Sequence, residues 1–290
     1  MKPPPLVYRR PGSLDEALDL LREHGDEAKP LAGGQSLVPL LNLRMARPAV
    51  LVDLNRLDGL DAIGEANGSI RAGALVRQAA FEASPLVRLR LPLVSECLPF
   101  VGHFVTRNRG TVGGSIAHAD ASAELPLALV ALGGSVVAAS GQGLRTIPTD
   151  EFFVTHFTTA LQPDELLVET VWPAAPPACG FAFEELAQRA GDYALSMAAC
   201  VLEIEDGRVE RARVAVASVT DRPTVLAEAS ALLRGRAVDA EGAREAGSAA
   251  AAAVEPAGSL HASGEYLRHI TAVLVERAVL RAWASGREAG

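Results

Sequence analysis

The sequence predicts an α+β protein whose first part mixes strands with helices and whose smaller second part combines three antiparallel strands with helices. Three observations support this prediction. The chain has 290 residues, enough for about two domains, and 49% of them are apolar, so it can bury a core. Strand and helix patterns alternate up to residue 172, and a proline cluster then precedes three successive strand patterns.

An α/β unit is predicted at the N-terminus. The segment S-L-D-E at residues 13–16 is a capping box that begins a helix of about three turns. A short strand at residues 29–32 leads into Gly33-Gly34 and then into a second helical pattern. Residues 50–53 follow as a buried strand, so the order is helix, strand, glycine turn, helix, strand.

The next segment combines two hairpins with a group of helices. The first hairpin covers residues 60–74 and turns at Asn67-Gly68, and the second covers residues 136–147. Residues 75–99 are mostly helical, with breaks expected at the prolines. A strand over residues 165–172 ends this part of the chain.

The prolines of residues 173–177 mark the predicted domain boundary, because such clusters are typical of linkers. Beyond them three antiparallel strands are predicted, with Asp206-Gly207 as the tight turn between the last two. The strands cover residues 181–186, 194–205 and 208–219, and the helices that follow cover residues 223–233, 240–254 and 264–284.

Composition excludes several classes of function. With 27 basic against 35 acidic residues, the net charge of −8 argues against nucleic acid as a partner. Three cysteines without a C-x-x-C pair cannot hold an iron–sulfur cluster and indicate a reducing compartment, and no histidine pair has the spacing of a zinc site. Because the sequence shows neither a secretion signal nor a transmembrane segment, we expect a cytoplasmic protein.

Two glycine loops are the most informative segments for chemistry. The first is A-G-G-Q-S at residues 32–36, and the second is T-V-G-G-S at residues 111–115. Glycine allows backbone N–H groups to converge on an anion, and a helix that begins there adds positive partial charge, so two such loops can hold both phosphates of a dinucleotide. Neither loop is specific by itself, since a plain tight turn is the more common explanation of a single glycine pair, and neither matches a Rossmann or P-loop fingerprint.

The longer motifs around these loops are specific. Residues 32–44 are A-G-G-Q-S-L-V-P-L-L-N-L-R, residues 107–126 are R-N-R-G-T-V-G-G-S-I-A-H-A-D-A-S-A-E-L-P, and residues 183–194 are F-E-E-L-A-Q-R-A-G-D-Y-A. With these three motifs the sequence resembles the FAD-binding medium subunit of the molybdenum hydroxylases, the family of carbon monoxide dehydrogenase and xanthine dehydrogenase. The resemblance covers in effect the whole chain.

The resemblance implies a two-lobed, FAD-binding α/β domain of the vanillyl-alcohol-oxidase or PCMH-like type, followed by a small domain of three antiparallel strands packed with helices. The implied units are residues 1–54 (first lobe), 55–175 (second lobe) and 178–286 (C-terminal domain). In the family, the two loops wrap the FAD pyrophosphate, an acidic residue contacts the adenosine part, and one backbone position and the G-D-Y segment approach the flavin. The corresponding residues of this chain are Ala32, Gly33, Gly34, Gln35, Ser36, Thr111, Val112, Gly113, Gly114, Ser115, Glu124, Leu167, Asp192 and Tyr193.

The function implied by the resemblance is electron transfer. In the family, a molybdopterin-binding large subunit hydroxylates the substrate, and [2Fe–2S] clusters on a small subunit pass electrons to FAD and then to NAD or another acceptor. No residue of this chain is implied as a nucleophile or metal ligand. Two alternatives remain open at this point: a free-standing FAD-dependent oxidoreductase, and a non-redox nucleotide-binding module.

Three positions depart from the family pattern. Ser115 stands where many relatives have Asn, and Gln35 replaces a frequent His, so both positions keep hydrogen-bonding side chains. Glu184 and Glu185 occupy a stretch where relatives commonly have Lys. The loss of a cation there affects either the flavin potential or the contact with the electron acceptor.

Several single residues have two interpretations. Arg107 and Arg109 either neutralise phosphate or dock a partner subunit, or they are simply solvated. His118 either faces the cofactor or is a hydrogen-bonded structural residue. For Tyr193 the G-D-Y context favours stacking on the flavin over an ordinary strand-start tyrosine, whereas Asp192 is equally well explained as a turn residue.

Overall fold

The computed structural model describes residues 2–176 and 178–289, and its first unit is a three-stranded parallel sheet with two helices. The elements of this unit are β1 (Val7–Arg9), α1 (Leu14–His24), β2 (Ala28–Leu31), α2 (Leu37–Asn42) and β3 (Val50–Asp53). β3 is the central strand, buried along its length, with β1 and β2 parallel to it on either side. Ser13 caps α1 by accepting a hydrogen bond from Glu16 N, which confirms the predicted helix start.

The second unit is a five-stranded antiparallel sheet with helices against it. Its elements are β4 (Ile63–Ala66), β5 (Ser69–Gly73), α3 (Gln78–Ala83), α4 (Pro85–Arg90), α5 (Pro92–Cys97), α6 (Phe104–Arg107), α7 (Val112–His118), α8 (Glu124–Leu132), β6 (Ser135–Ser140), β7 (Gly143–Pro148), α9 (Thr149–Phe152), β8 (Phe153–Thr155), β9 (Thr158–Thr159) and β10 (Leu166–Pro173). The strand order is β4-β5-β10-β6-β7, and β8 and β9 pair separately.

Local sequence signals explain most of this second unit. Asn67 and Gly68 both have positive φ (52° and 72°), so they form the expected hairpin turn between β4 and β5. Pro85 and Pro92 occupy the first turns of α4 and α5, which places the helix breaks where the sequence predicts them.

The third unit is a four-stranded antiparallel sheet covered by helices. Its elements are β11 (Cys179–Ala187), β12 (Ala194–Glu205), β13 (Arg208–Ala217), β14 (Thr224–Val225), α10 (Ala227–Leu232), α11 (Ala240–Ala252) and α12 (Gly264–Ala289). The strand order is β11-β12-β13-β14. The predicted α+β architecture, with mixed units followed by a small antiparallel sheet and helices, is therefore confirmed.

One predicted helix begins later than expected. Residues 223–233 have a helical pattern, but Thr224 and Val225 pair with Val216 and Ala215 as the short strand β14, and the helix begins only at Ala227. The exposed edge of β13 offers hydrogen bonds to this segment, and its β-branched residues suit a strand. Tertiary pairing therefore outweighs the local helical pattern.

The two faces of the small sheet pack against different partners. On β11, Phe181 and Phe183 belong to the core shared with the second unit, whereas Ala182 belongs to the core formed with α12. Adjacent strand residues point to opposite faces, so this alternation places one face on the second unit and the other on α12. α8 lies in the first of these cores, and Arg213 of β13 donates hydrogen bonds to the carbonyls of Val130 and Ala131 at its C-terminal end.

The proline-rich segment begins at Pro173, which ends β10. Pro177, the last residue of the predicted linker, lies outside the described residues. Among the helices that the structure describes, none combines the length and apolar character that crossing a bilayer requires.

Candidate cofactor site

The first glycine loop lies between β2 and α2 and presents main-chain donors. Gly34 has φ +73°, a conformation that L side chains rarely adopt. Within the described residues, the N–H groups of Gly33, Gly34, Gln35 and Ser36 have no acceptor in the protein. Because α2 is only six residues long, the loop offers an anion these individual N–H groups rather than a long helix dipole.

The second glycine loop has a different structure from the predicted turn. Thr111 is the N-cap of α7, and its Oγ1 accepts a hydrogen bond from Gly114 N at 3.0 Å, so Gly113 and Gly114 lie within the first helical turn. The N–H groups of residues 112–115 all have acceptors inside the protein, including Ala74 O for Gly113 (3.1 Å). Glycine is needed here for close packing, since a Cβ on Gly113 would lie 2.5 Å from Ala74 Cα.

The two loops lie against each other. A Cβ on Gly33 would be 2.4 Å from Arg109 O and 2.8 Å from Gly110 Cα, so only glycine permits this approach. In the second loop, a Cβ on Gly114 would lie 3.6 Å from Ala32 Cβ of the first loop. The donor-rich first loop is thus held directly beside the start of α7.

Two residues that the sequence analysis did not single out connect these loops. Asn55 Nδ2 donates to Ala32 O at 2.8 Å, and Asn55 Oδ1 accepts from Arg77 Nη2 at 2.6 Å. Arg77 Nη1 donates in turn to Arg109 O. The only available signal is that Asn55 lies just beyond the end of the buried strand β3, where site residues of α/β sheets often occur.

The G-D-Y segment forms the connection between β11 and β12. Gly191 has φ +82° and packs closely against the His103 ring. A Cβ on Gly191 would lie 2.8 Å from His103 Cε1. Asp192 accepts a hydrogen bond from Arg189 Nε at 2.9 Å, which is the behaviour of a turn residue. Tyr193 is 72% exposed, so its ring is open to a ligand.

Tyr193, Asp120 and Glu124 influence one another electrostatically. Desolvation of the Tyr193 hydroxyl raises its pKa, and the negative charges of Asp120 and Glu124 add to this shift. Burial raises the pKa of Glu124 to about 7, with Asp120 acting in the same direction and Arg107 in the opposite one. The structure therefore brings the predicted residues Glu124 and Tyr193 into one neighbourhood.

Leu167 lies in the interior of the second unit. Its side chain is buried, and it pairs with Ala138 just before a bulge in β10. The bulge frees Val168 O to accept a hydrogen bond from Ala74 N at 2.9 Å, and Ala74 is the residue on which Gly113 packs. The backbone of Leu167 is thereby tied to the region of the second loop.

Two basic residues with two interpretations make contacts inside the protein. Arg107 binds Glu82 (2.7 Å) and the carbonyl of Val101 (3.1 Å), so it stabilises the segment before the second loop and is not simply solvated. His118 packs on Phe157, with ring centroids 4.8 Å apart, and burial lowers its pKa. Its imidazole is therefore neutral at pH 7 and part of an aromatic cluster.

The arrangement fits a dinucleotide with an aromatic ring system. Main-chain donors suit a diphosphate, and the exposed Tyr193 ring suits a planar heterocycle. Within the described residues, three buried side-chain atoms lack hydrogen-bond partners: Gln78 Oε1, Glu185 Oε2 and Ser218 Oγ.

The fold and this site define a dinucleotide-binding α+β protein with a separate antiparallel domain. Residues 4–175 match the FAD binding domain in molybdopterin dehydrogenase, and residues 181–282 match the CO dehydrogenase flavoprotein C-terminal domain. The chain therefore belongs to the family of FAD-binding medium subunits of the molybdenum hydroxylases, its cofactor is FAD, and it is a component of an oxidoreductase.

Relatives match nearly end to end. The chain is 42% identical to the 6-hydroxypseudooxynicotine dehydrogenase complex subunit alpha of Paenarthrobacter nicotinovorans, over 97% of this chain and 96% of that protein. It superposes on a chain of carbon monoxide dehydrogenase from Hydrogenophaga pseudoflava with a TM-score of 0.96 at 36% identity, covering 98% and 99% of the two chains. For quinoline 2-oxidoreductase from Pseudomonas putida 86 the TM-score is 0.93 at 36% identity, with 99% of each chain covered.

Proposed function

We propose that this chain is the electron-transfer subunit of a multi-subunit molybdenum hydroxylase. In this proposal, electrons arrive from [2Fe–2S] clusters on a small partner subunit and leave to NAD or another acceptor, while a molybdopterin-binding large subunit performs the hydroxylation. The observation that supports it is the first glycine loop, whose four unpartnered N–H groups lie beside the second loop. FAD supplies the redox chemistry, and the protein positions it.

The proposal assigns different tasks to the predicted residues. Gly33, Gly34, Gln35 and Ser36 donate main-chain hydrogen bonds to the diphosphate, because their N–H groups have no other acceptor in the described structure. Residues 111–115 mainly form the wall against which the first loop packs. Tyr193 covers one face of the isoalloxazine, since its ring is exposed.

The proposal also assigns domains and location. Residues 1–54 and 55–175 form the two lobes around the diphosphate, and residues 178–286 form the domain that brings Tyr193 to the flavin. The three cysteines are buried as free thiols, which suits the reducing cytoplasm, where we place the complex.

The glycine loop is tested by a matched pair of variants. In Gly33→Ala the new Cβ meets Arg109 O at 2.4 Å, so the loops must separate and the donors lose their alignment. Gly64→Ala is the control, because nothing lies within 4 Å of a Cβ there. Titration of the full chain with FAD, followed by flavin fluorescence, is expected to give at least about tenfold weaker binding for Gly33→Ala and unchanged binding for Gly64→Ala. Equal affinities would contradict the assigned diphosphate site.

The partners are tested by co-expression with the products of neighbouring genes, followed by purification and analysis of iron, molybdenum and flavin. We expect one complex that contains all three. Reduction of its iron–sulfur clusters is then expected to bleach the flavin absorbance, and reoxidation by NAD tests that acceptor. A chain that purifies by itself with FAD and oxidises a small molecule directly would refute the role of an electron-transfer subunit.

A further inference from the structure

Three successive carbonyl oxygens of the first glycine loop accept hydrogen bonds. The bonds run from Asn55 Nδ2 to Ala32 O (2.8 Å), from Gln35 Nε2 to Gly33 O (3.4 Å) and from Val38 N to Gly34 O (3.1 Å). In a trans peptide unit the carbonyl and the N–H of the next residue point in opposite directions. The N–H groups of Gly33, Gly34 and Gln35, which have no acceptor in the described structure, therefore point away from these donors.

Asn55 differs from the other two donors because it lies outside the loop and outside the helix that follows the loop. It stands two positions after the last residue of β3. Its amide has two possible orientations, and only the one with Nδ2 toward Ala32 O can donate to the loop. In that orientation Oδ1 accepts from Arg77 Nη2 at 2.6 Å. Whatever fixes the amide of Asn55 therefore also sets the direction of the Gly33 N–H.

The buried carboxyl of Asp53, the last residue of β3, fixes this amide. Its Oδ1 accepts from Asn55 N at 3.0 Å and from Asn55 Nδ2 at 2.6 Å, and its Oδ2 accepts from the Tyr8 hydroxyl. Burial acts to raise the pKa of Asp53, but the hydrogen bonds from Tyr8 and Asn55 outweigh it and lower the pKa, so the carboxyl is ionised. A carboxylate only accepts and the guanidinium of Arg77 only donates, so together they permit one orientation of the amide between them.

We propose that Asp53 and Asn55 are positioning residues for FAD: they hold the Ala32 carbonyl so that the Gly33 N–H points toward the diphosphate. This inference rests on the proposed function, which assigns the N–H groups of the loop to the diphosphate. Neither side chain has to touch the cofactor, because both act through the peptide unit between Ala32 and Gly33. With the amide reversed, its oxygen would face the Asp53 carboxylate and Ala32 O, and the peptide unit would lose its only side-chain donor.

Two variants of the full chain test this role by FAD titration and urea unfolding. Asn55→Asp keeps the shape of the side chain and the acceptor for Arg77, but places an oxygen against Ala32 O, so we expect at least about tenfold weaker FAD binding. The double variant Asp53→Asn, Asn55→Asp restores the net charge and a hydrogen bond between the two side chains. It is expected to resist urea better than Asn55→Asp while its FAD affinity stays low. Asn67→Asp, in the exposed turn between β4 and β5, is the control and is expected to bind FAD like the wild type.

The double variant separates positioning from stability. If its FAD affinity recovers together with its resistance to urea, the role of the pair is structural only and the inference is overturned, as it is by wild-type affinity in Asn55→Asp. NMR of the labelled, FAD-free chain tests the peptide unit directly: the carbonyl carbon resonance of Ala32 is expected to shift in both variants and to stay unchanged in Asn67→Asp. An unshifted resonance in the two variants also overturns the inference. A wild-type chain without affinity for FAD contradicts the proposed function instead, and the Ala32 resonance then still decides whether Asn55 holds the loop.

Discussion

Arg77 joins three parts of the chain that are far apart in sequence. Its guanidinium donates to Asn55 Oδ1 and to Arg109 O, and Asn55 in turn holds Ala32 O. The two Nη groups of the planar guanidinium make these bonds in a fixed relative geometry, which the single ammonium of a lysine does not impose. Arg77 therefore fixes the separation of the glycine loops although it was absent from the residues predicted to bind FAD.

Removal of Arg77 is expected to affect both stability and binding. Arg77→Met leaves Asn55 Oδ1 and Arg109 O without their charged donor, so we expect a loss of about 2–3 kcal/mol in unfolding free energy and about tenfold weaker FAD binding. Arg71→Met is the control: its ion pair with Glu169 is partly exposed, and its loss is expected to cost at most about 1 kcal/mol. Urea unfolding and flavin fluorescence measure the two effects, and equal losses in both variants would contradict the role of Arg77.

At the scale of elements, α7 depends on its N-cap. Thr111 is buried, and its Oγ1 accepts the hydrogen bond from Gly114 N that begins the helix. This helix start forms the wall behind the first glycine loop, so the cap stabilises the site as well as the helix.

Substitution of this cap has a defined cost. Thr111→Ala removes the acceptor and is expected to lower the unfolding free energy by about 1–2 kcal/mol, whereas Thr111→Ser keeps the hydroxyl and loses only the methyl packing. Urea denaturation at pH 7 compares the two variants with the wild type. If alanine and serine cost the same, the hydrogen bond to Gly114 N does not stabilise α7.

At the scale of the whole molecule, two groups of carboxyls change the stability of the fold with pH in opposite directions. Hydrogen bonds from Arg145 lower the pKa of Glu165, and for Asp53 hydrogen bonds from Tyr8 and Asn55 outweigh the effect of burial, so its pKa is lowered too. Their stabilisation is lost as the pH falls through these lowered values. Glu124 and Glu185 have raised pKa values of about 7 and about 8, so they lower the stability of the folded chain as the pH rises.

The sum of these effects sets the pH of greatest stability. Above about pH 4.5 the unfolded chain ionises Glu124 and Glu185 while the folded chain keeps them protonated, so stability falls until the pH exceeds about 8. We therefore expect the melting temperature of the FAD-free chain to be highest near about pH 5. Thermal melts from pH 4 to pH 9 measure this. In the double variant Glu124→Gln, Glu185→Gln, the maximum is expected to lie at a higher pH. A wild-type maximum at pH 8 would contradict the assignment of these carboxyls.

The sequence determined the local structure and, through its long motifs, the family and FAD. Ser13 and Glu16, the Asn67-Gly68 turn and the helix-starting prolines act over a few residues, so their outcome is encoded where they stand. The alternation on β11 is equally local, since it depends only on the period of a strand.

Only the tertiary structure decided which of these elements meet. The segment at Thr224 becomes a strand because β13 lies next to it, and the second glycine pair becomes helical because it packs on Ala74. The clamp through Asn55 and Arg77 depends on contacts between residues about 20 to 30 positions apart, as the numbering of the chain shows. Such contacts follow from the packing of whole sheets and helices, and no local pattern in the sequence encodes them.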